Sequence, residues 1–193
     1  MKKGWIILLV ILVVIGFWMR SAYNGLLPLD EGVKEKWANI QAQYKRRAEL
    51  IPNLVETVKG AANFEQKTLT DVMNARAKAT QMVIDPNNLT AEKLKEFQAA
   101  QGQLSMAMSR LMVVSENYPQ LKANQNFLDM QAELTGTGNR ITAAIKDYNE
   151  SVKEFNIGVR SFPVNIIAGI VHMQARPAFE AEPEAQKNPE VKF

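Results

Sequence analysis

Residues 127–162 read FLDMQAELTGTGNRITAAIKDYNESVKEFNIGVRSF, and one seam runs through them at alternating steps of four and three: Phe127, Gln131, Leu134, Gly138, Ile141, Ile145, Tyr148, Val152, Phe155, Val159 and Phe162. That spacing places the seam on one side of an α-helix and repeats every seven residues, the pattern of helices packed nearly antiparallel. A strand would alternate every second residue, and no segment of the chain does so for long. The same seven-residue pattern recurs upstream. One seam follows Val33, Trp37, Ile40, Tyr44, Arg47, Ile51, Leu54, Val58 and Ala61, and another follows Leu94, Phe97, Gln101, Leu104, Met108, Leu111, Ser115 and Tyr118.

Breaks between the seams are equally visible. Asp85-Pro86-Asn87-Asn88 is a turn, with Thr90 a candidate N-cap and Glu92 in the first turn of the next helix. Tyr118-Pro119 and Phe162-Pro163 close the second and third helices, because the residue before proline is pushed out of the helical region. Pro52 lies inside a pattern that continues past it, which predicts a kink rather than a stop. Gly136 and Gly138 weaken the third helix and suggest a close helix approach there. The expectation is an all-α chain with a kinked helix over about 30–83, two more at about 90–117 and 121–161, and a short C-terminal helix within Val164–Met173. Two shorter helices laid along one of roughly 80 Å make an elongated antiparallel bundle of three long helices.

Gly4 to Met19 is uninterruptedly apolar and is bounded by Lys2, Lys3 and Arg20, with Trp5 and Trp18 at its two ends. Such a run nearly spans a hydrocarbon core of roughly 30 Å, the bases and indoles suiting the two interfaces. A cleaved leader would end in small residues, whereas this run ends Phe-Trp-Met-Arg, so an uncleaved anchor is expected. The segments are therefore an anchor at 1–22, a linker at 23–29, the bundle at 30–173 and a mobile polar tail at 174–193 containing Pro177, Pro183 and Pro189. Lys2 and Lys3 against Arg20 favour an amino terminus inside the cell; counting Lys34 and Lys36 reverses the tally, and both orientations stay open.

The chain carries 23 basic residues; without Lys2, Lys3 and Arg20, 20 bases face 20 acids. A neutral bundle lacks the positive field that nucleic-acid binding needs, so no nucleic-acid partner is expected. Cysteine is absent, which excludes disulfides, thiolate nucleophiles and cysteine metal sites. A single histidine, His172, in no metal-ligand pairing, supports neither a zinc site nor any other cofactor. Gly136-Thr137-Gly138 lacks the strand and the Lys-Ser/Thr ending of a phosphate loop.

The densest chemical feature is Tyr44 to Pro52. Lys45, Arg46, Arg47, Pro52 and Asn53 form the candidate interaction surface, set against the plainer account of a solvated face, a structural kink and Arg47 as a buried register contact. Asn53, Asn124, Asn126, Asn149, Asn156 and Asn165 stand beside aromatics or prolines and suit capping or bonding across helices. Met106 to Val114 is apolar on more than one face, which predicts burial on two sides, within the bundle or against another copy.

Several blocks stand out: Tyr23-Asn24, the run Tyr44 to Gly60 (YKRRAELIPNLVETVKG), Glu116 to Asn124 (ENYPQLKAN) with Asn126-Phe127, then Tyr148-Asn149, Phe155-Asn156, Phe162 to Asn165 and Val191 to Phe193. Together they resemble the LemA family of bacterial membrane-anchored proteins. The resemblance covers nearly the whole chain. It implies a single-pass anchor and a long-helix bundle, and it brings no established molecular function. For the family a short extracellular amino terminus has been proposed, which would leave the bundle in the cytoplasm.

On these grounds the expected function is a non-enzymatic scaffold at the cell (inner) membrane, partnered by the bilayer and by further copies of itself. The alternative is an adaptor of a membrane enzyme, such as a membrane protease, docking through residues 44–60. An enzyme with a site between helices comes last.

Overall fold

The computed structural model describes residues 2–60 and 65–180, with the side chain of Lys2 outside that description. Among the described residues, six α-helices and one 3-10 turn make up the regular structure: α1 (Lys2–Lys59), α2 (Gln66–Gln81), the turn Pro86–Asn88, α3 (Ala91–Ser115), α4 (Pro119–Lys122), α5 (Gln125–Arg160) and α6 (Val164–Ile170). No strand occurs among the described residues. The chain is an all-α bundle built on a single long helix.

α1 has 58 residues, so its axis is roughly 87 Å long. Its first part is apolar, with a mean hydropathy of 2.3 over the best window, and none of that window is covered by the protein. This is a segment long and apolar enough to cross a bilayer, and the absence of cover separates it from a core helix. The helix then runs without interruption through residues 23–29, where a linker was expected. Leu26 and Asp30 are buried there, so the stretch is held by packing as well as by its own hydrogen bonds.

α1 ends at Lys59, followed by Gly60, a residue suited to a helix end. The single helix expected to reach residue 83 is thus two. α2 returns along α1: its Arg76 meets Ala48, and beyond its end the Ile84 carbonyl accepts from Trp37 Nε1 at 3.0 Å and Gln41 Nε2 at 2.7 Å. α3 climbs again, capped by the Thr90 hydroxyl accepting from the Lys93 amide. α5 descends beside α1 for its full length, capped by the Asn124 side chain at Phe127.

Two clusters fill the interior. The one near the apolar segment gathers Leu26, Val33, Trp37, Phe97, Tyr148 and Phe155; the distal one gathers Ile51, Leu54, Val58, Leu104, Leu111 and Phe127. The close approach expected at Gly136 and Gly138 lies elsewhere. A Cβ on Gly138 would meet nothing, whereas one on Gly158 would meet Leu26 and Leu29 at 3.1 and 3.2 Å. Gly158 therefore lets the end of α5 press onto α1.

The segment expected to be mobile from residue 174 is ordered as far as Glu180. It runs in extended form along α5 and buries Phe179 against Trp37 and Tyr148. Apolar burial and hydrogen bonds from α5 hold it, which the polar composition of the segment does not advertise. Pro177 falls within this ordered part; Pro183, Pro189 and the rest of 181–193 lie outside the described residues.

Candidate interaction surface

The Tyr44–Pro52 block divides between outside and inside. Lys45 and Asn53 are exposed. Arg46 reaches across to α5, its Nη2 lying 2.8 Å from Glu133 Oε1, which Arg140 also contacts at 3.0 Å. The hydrogen bond from Arg46, reinforced by both guanidinium charges, holds the Glu133 carboxyl below its ordinary range.

Arg47 turns toward α3. It donates to Ser105 Oγ at 3.0 Å, Gln101 Oε1 at 3.0 Å and the Gln101 carbonyl at 3.3 Å, and it lies 5.0 Å from the Tyr44 ring. Burial pushes its pKa down, although an arginine stays charged at any physiological pH. Buried Gln101 in turn donates to the Ala79 carbonyl at 3.2 Å, so one polar chain joins α1, α3 and α2. Pro52 is half-buried, and its missing N–H has a structural consequence: the Ala48 carbonyl loses its helical donor and accepts from Arg76 Nε at 2.8 Å. Three of the five candidate residues thus hold the bundle together. What remains for a partner is Lys45, itself 3.9 Å from Glu49, and Asn53.

The residues expected at a membrane interface fall on the apolar end of α1. Trp5, Trp18, Lys3 and Arg20 are exposed, and the Lys2 side chain lies outside the described residues.

Two asparagines make the most regular polar feature. Asn149 donates to the Phe179 carbonyl at 3.1 Å and accepts from the Phe179 amide at 2.8 Å. Asn156 does the same to Arg176, at 2.9 and 2.8 Å. Seven residues of helix rise roughly 10.5 Å and three residues of extended chain cover about 10 Å, so the two spacings match. Tyr148 adds a bond to the Pro177 carbonyl at 2.8 Å; burial raises its pKa well above the usual phenol, so it stays a donor. Arg176 closes the arrangement on Asp30 at 2.9 Å and on the Pro86 carbonyl at 2.8 Å. The recurrence of asparagine beside seam aromatics pointed to these amides; Arg176, Asp30 and Arg76 gave no comparable signal.

Between α3 and α5 lies an open groove of about 490 Å³, lined by Tyr44, Gln98, Gln101, Ser105 and Asn149, with Lys146 and Glu180 as its charged residues. It brings together no pair of carboxylates. No group of metal-ligating side chains occurs among the described residues. His172 is exposed and ends α6 with φ 57°, its N–H on the Gly169 carbonyl and that of Met173 on Ala168, the pattern of a Schellman stop.

Among the described residues beyond the first helix segment, two groups of exposed apolar side chains stand out, apart from single ones such as Val83 and Leu128. Met106 and Val113 on α3 are 66 % and 69 % exposed, one heptad apart. Phe162, Ile166 and Ile170 form the other, around α6.

An apolar segment long enough to cross a bilayer, fused without a break to a neutral, long-helix bundle with structural uses for its polar clusters, defines a class of helical proteins. The chain belongs to the LemA family, whose pattern matches residues 36–193. It is 25 % identical over 145 residues to Protein LemA of Metamycoplasma hominis, covering 75 % of this chain and 63 % of that protein. It is also 24 % identical over 178 residues to Magnetosome protein MamQ 2 of Paramagnetospirillum magneticum, covering 83 % of this chain and 65 % of the relative. A MamQ of Magnetospirillum gryphiswaldense matches at 22 % over the same length. The chain thus spans somewhat less than two thirds of these relatives' lengths.

Proposed function

We propose that the protein is a non-enzymatic scaffold of the cell (inner) membrane, single-pass, which holds a rigid helical bundle beside the bilayer and associates with further copies of itself. The observation that carries this is the outer face of α3. Met106 and Val113 stand seven residues apart and largely uncovered, as positions of a second seam would. Confinement of an anchored chain to one plane raises the effective concentration of such faces. An unbroken α1 supports the scaffold reading too, since a continuous helix transmits orientation where a flexible linker would not.

The test is the mass of the full chain in detergent across a concentration series. An oligomer that Met106→Glu and Val113→Glu convert to monomer, with helicity unchanged, supports the reading. A strict monomer at the highest concentration ends the self-assembly part.

The adaptor alternative has a smaller base, since Arg46, Arg47 and Pro52 are engaged within the bundle. It rests on Lys45 and Asn53, and Lys45→Glu is its discriminating variant: partner capture should fall while thermal stability stays within about 0.5 kcal/mol.

A further inference from the structure

We infer that α6 and the turn before it form a second membrane contact, lying on the lipid surface beside the emerging α1. The inference rests on the reading of the first helix segment as a bilayer anchor.

Position comes first. Gly158 packs between Leu26 and Leu29, and α5 runs antiparallel to α1, so the chain beyond Gly158 heads toward the apolar segment. Leu26 is seven residues past Met19, the last apolar residue of the run, a distance of roughly 10 Å along the helix. α6 then packs on both α1 and α5. Met19 and Ala22 are the first half-buried side chains along α1, after an exposed run from Lys3 to Trp18. That partial cover begins where the apolar run ends, at the level of the headgroups.

Chemistry comes second. α6 buries Ile167 and Ala168 and leaves Ile166 and Ile170 53 % and 59 % exposed; Phe162, four residues earlier, is 83 % exposed. Ile166 and Ile170 stand one turn apart on α6, Phe162 lies in the turn before the helix, and Ile157 near the end of α5 is exposed as well. An amphipathic helix of this kind suits the boundary between headgroups and acyl chains. The charges agree. No acid occurs in residues 2–29 or 155–179, while Arg20 and Arg160 are exposed on the two sides. A surface with bases and no acids is drawn to anionic headgroups, and it would be a poor match for a protein partner offering cations. Continuity with the apolar segment selects lipid over a second copy, because the patch begins where that segment ends.

The absence of cysteine makes the test direct. Single variants Phe162→Cys, Ile166→Cys and Ile170→Cys, with Ile11→Cys in the apolar segment and Thr135→Cys on exposed distal α5 as references, would carry a nitroxide. The full chain would be reconstituted in vesicles of phosphatidylethanolamine and phosphatidylglycerol. Access of dissolved oxygen is then compared with access of a water-soluble nickel chelate. The expected result is oxygen access exceeding nickel access at 162, 166 and 170, as at 11, and the reverse at 135. Nickel access equal to that at 135 overturns the contact while leaving the anchor standing. Nickel access at 11 itself overturns the anchor, and the contact falls with it. Shielding at 162–170 with spin–spin broadening that disappears on dilution with unlabelled chain assigns the face to a second copy and overturns the lipid assignment.

Discussion

Arg76 Nε donates to the Ala48 carbonyl at 2.8 Å, the carbonyl that Pro52 cannot engage four residues further along α1. A proline inside a helix leaves an acceptor without its donor, and here a second helix supplies one. The defect in α1 is therefore also the place where α2 docks. Arg76→Met should cost about 1–3 kcal/mol in denaturant unfolding, the range for a half-buried acceptor losing its partner. In a Pro52→Ala background the restored N–H takes the carbonyl, and the same change should cost distinctly less. Equal costs in the two backgrounds would show that Arg76 acts through something other than this carbonyl.

The asparagine pair yields the second prediction. Asn149→Ala and Asn156→Ala each delete two hydrogen bonds to the 176–179 backbone. Each should cost about 1–2 kcal/mol, and the loss should be local. Amide exchange at Arg176 and Phe179, whose N–H groups the two side chains accept, should accelerate by an order of magnitude or more. Exchange in the middle of α5 should not move. Unchanged protection at those two amides would mean that Phe179 packing alone holds the segment.

Acid pH should release the same segment through Asp30. Burial alone would raise its pKa, but hydrogen bonds from Lys34 and Arg176, with their charges, outweigh this and hold the carboxyl below its ordinary 3.8. A lowered folded value means that ionised Asp30 favours the folded state above the ordinary value, and that this contribution is lost as pH falls through the lower one. Protease cleavage near Arg176 should therefore be slow from neutrality down to about pH 4 and rise below it. Asp30→Asn should show the faster cleavage already at neutral pH, with a weaker acid step. An acid step of the same size in Asp30→Asn would move the cause to another carboxylate.

What the sequence makes legible follows from the kind of force involved. Apolar burial leaves a period, so the seams place Trp37, Phe97, Leu104, Tyr148 and Phe155 in the interior, and the pattern even carries buried Gln101 and Ser115. Helix ends marked by proline or a capping side chain are visible for the same local reason, as at Thr90. The break after Lys59 is hidden because α2 resumes with its own Leu69, Val72 and Ala79 at helical spacing, so the pattern reads on across the gap. The 174–180 segment is hidden because side-chain amides grip its backbone, and a backbone carries no residue code. The candidate surface at 45–53 was chosen by charge density, and charge density does not say which bases find partners on α3 and α5. Arg46 and Arg47 find them; Lys45 has only the distant Glu49.

His172 gives the last prediction. The lone histidine invites a chemical role, but its backbone gives it a structural one: at φ 57° it holds the left-handed position that closes α6, where glycine is the usual occupant. A residue with a Cβ is disfavoured there by about 1–2 kcal/mol, and glycine recovers most of that while giving back part through its freer unfolded chain. His172→Gly should therefore stabilise the bundle by about 0.5–1 kcal/mol. His172→Asn should gain less, because asparagine tolerates the position without being free of strain. His172→Val should destabilise, since a β-branched side chain fits it worst. Denaturant unfolding of the three variants gives the ranking directly. A histidine retained for its ring would give a different order, with every substitution equally damaging.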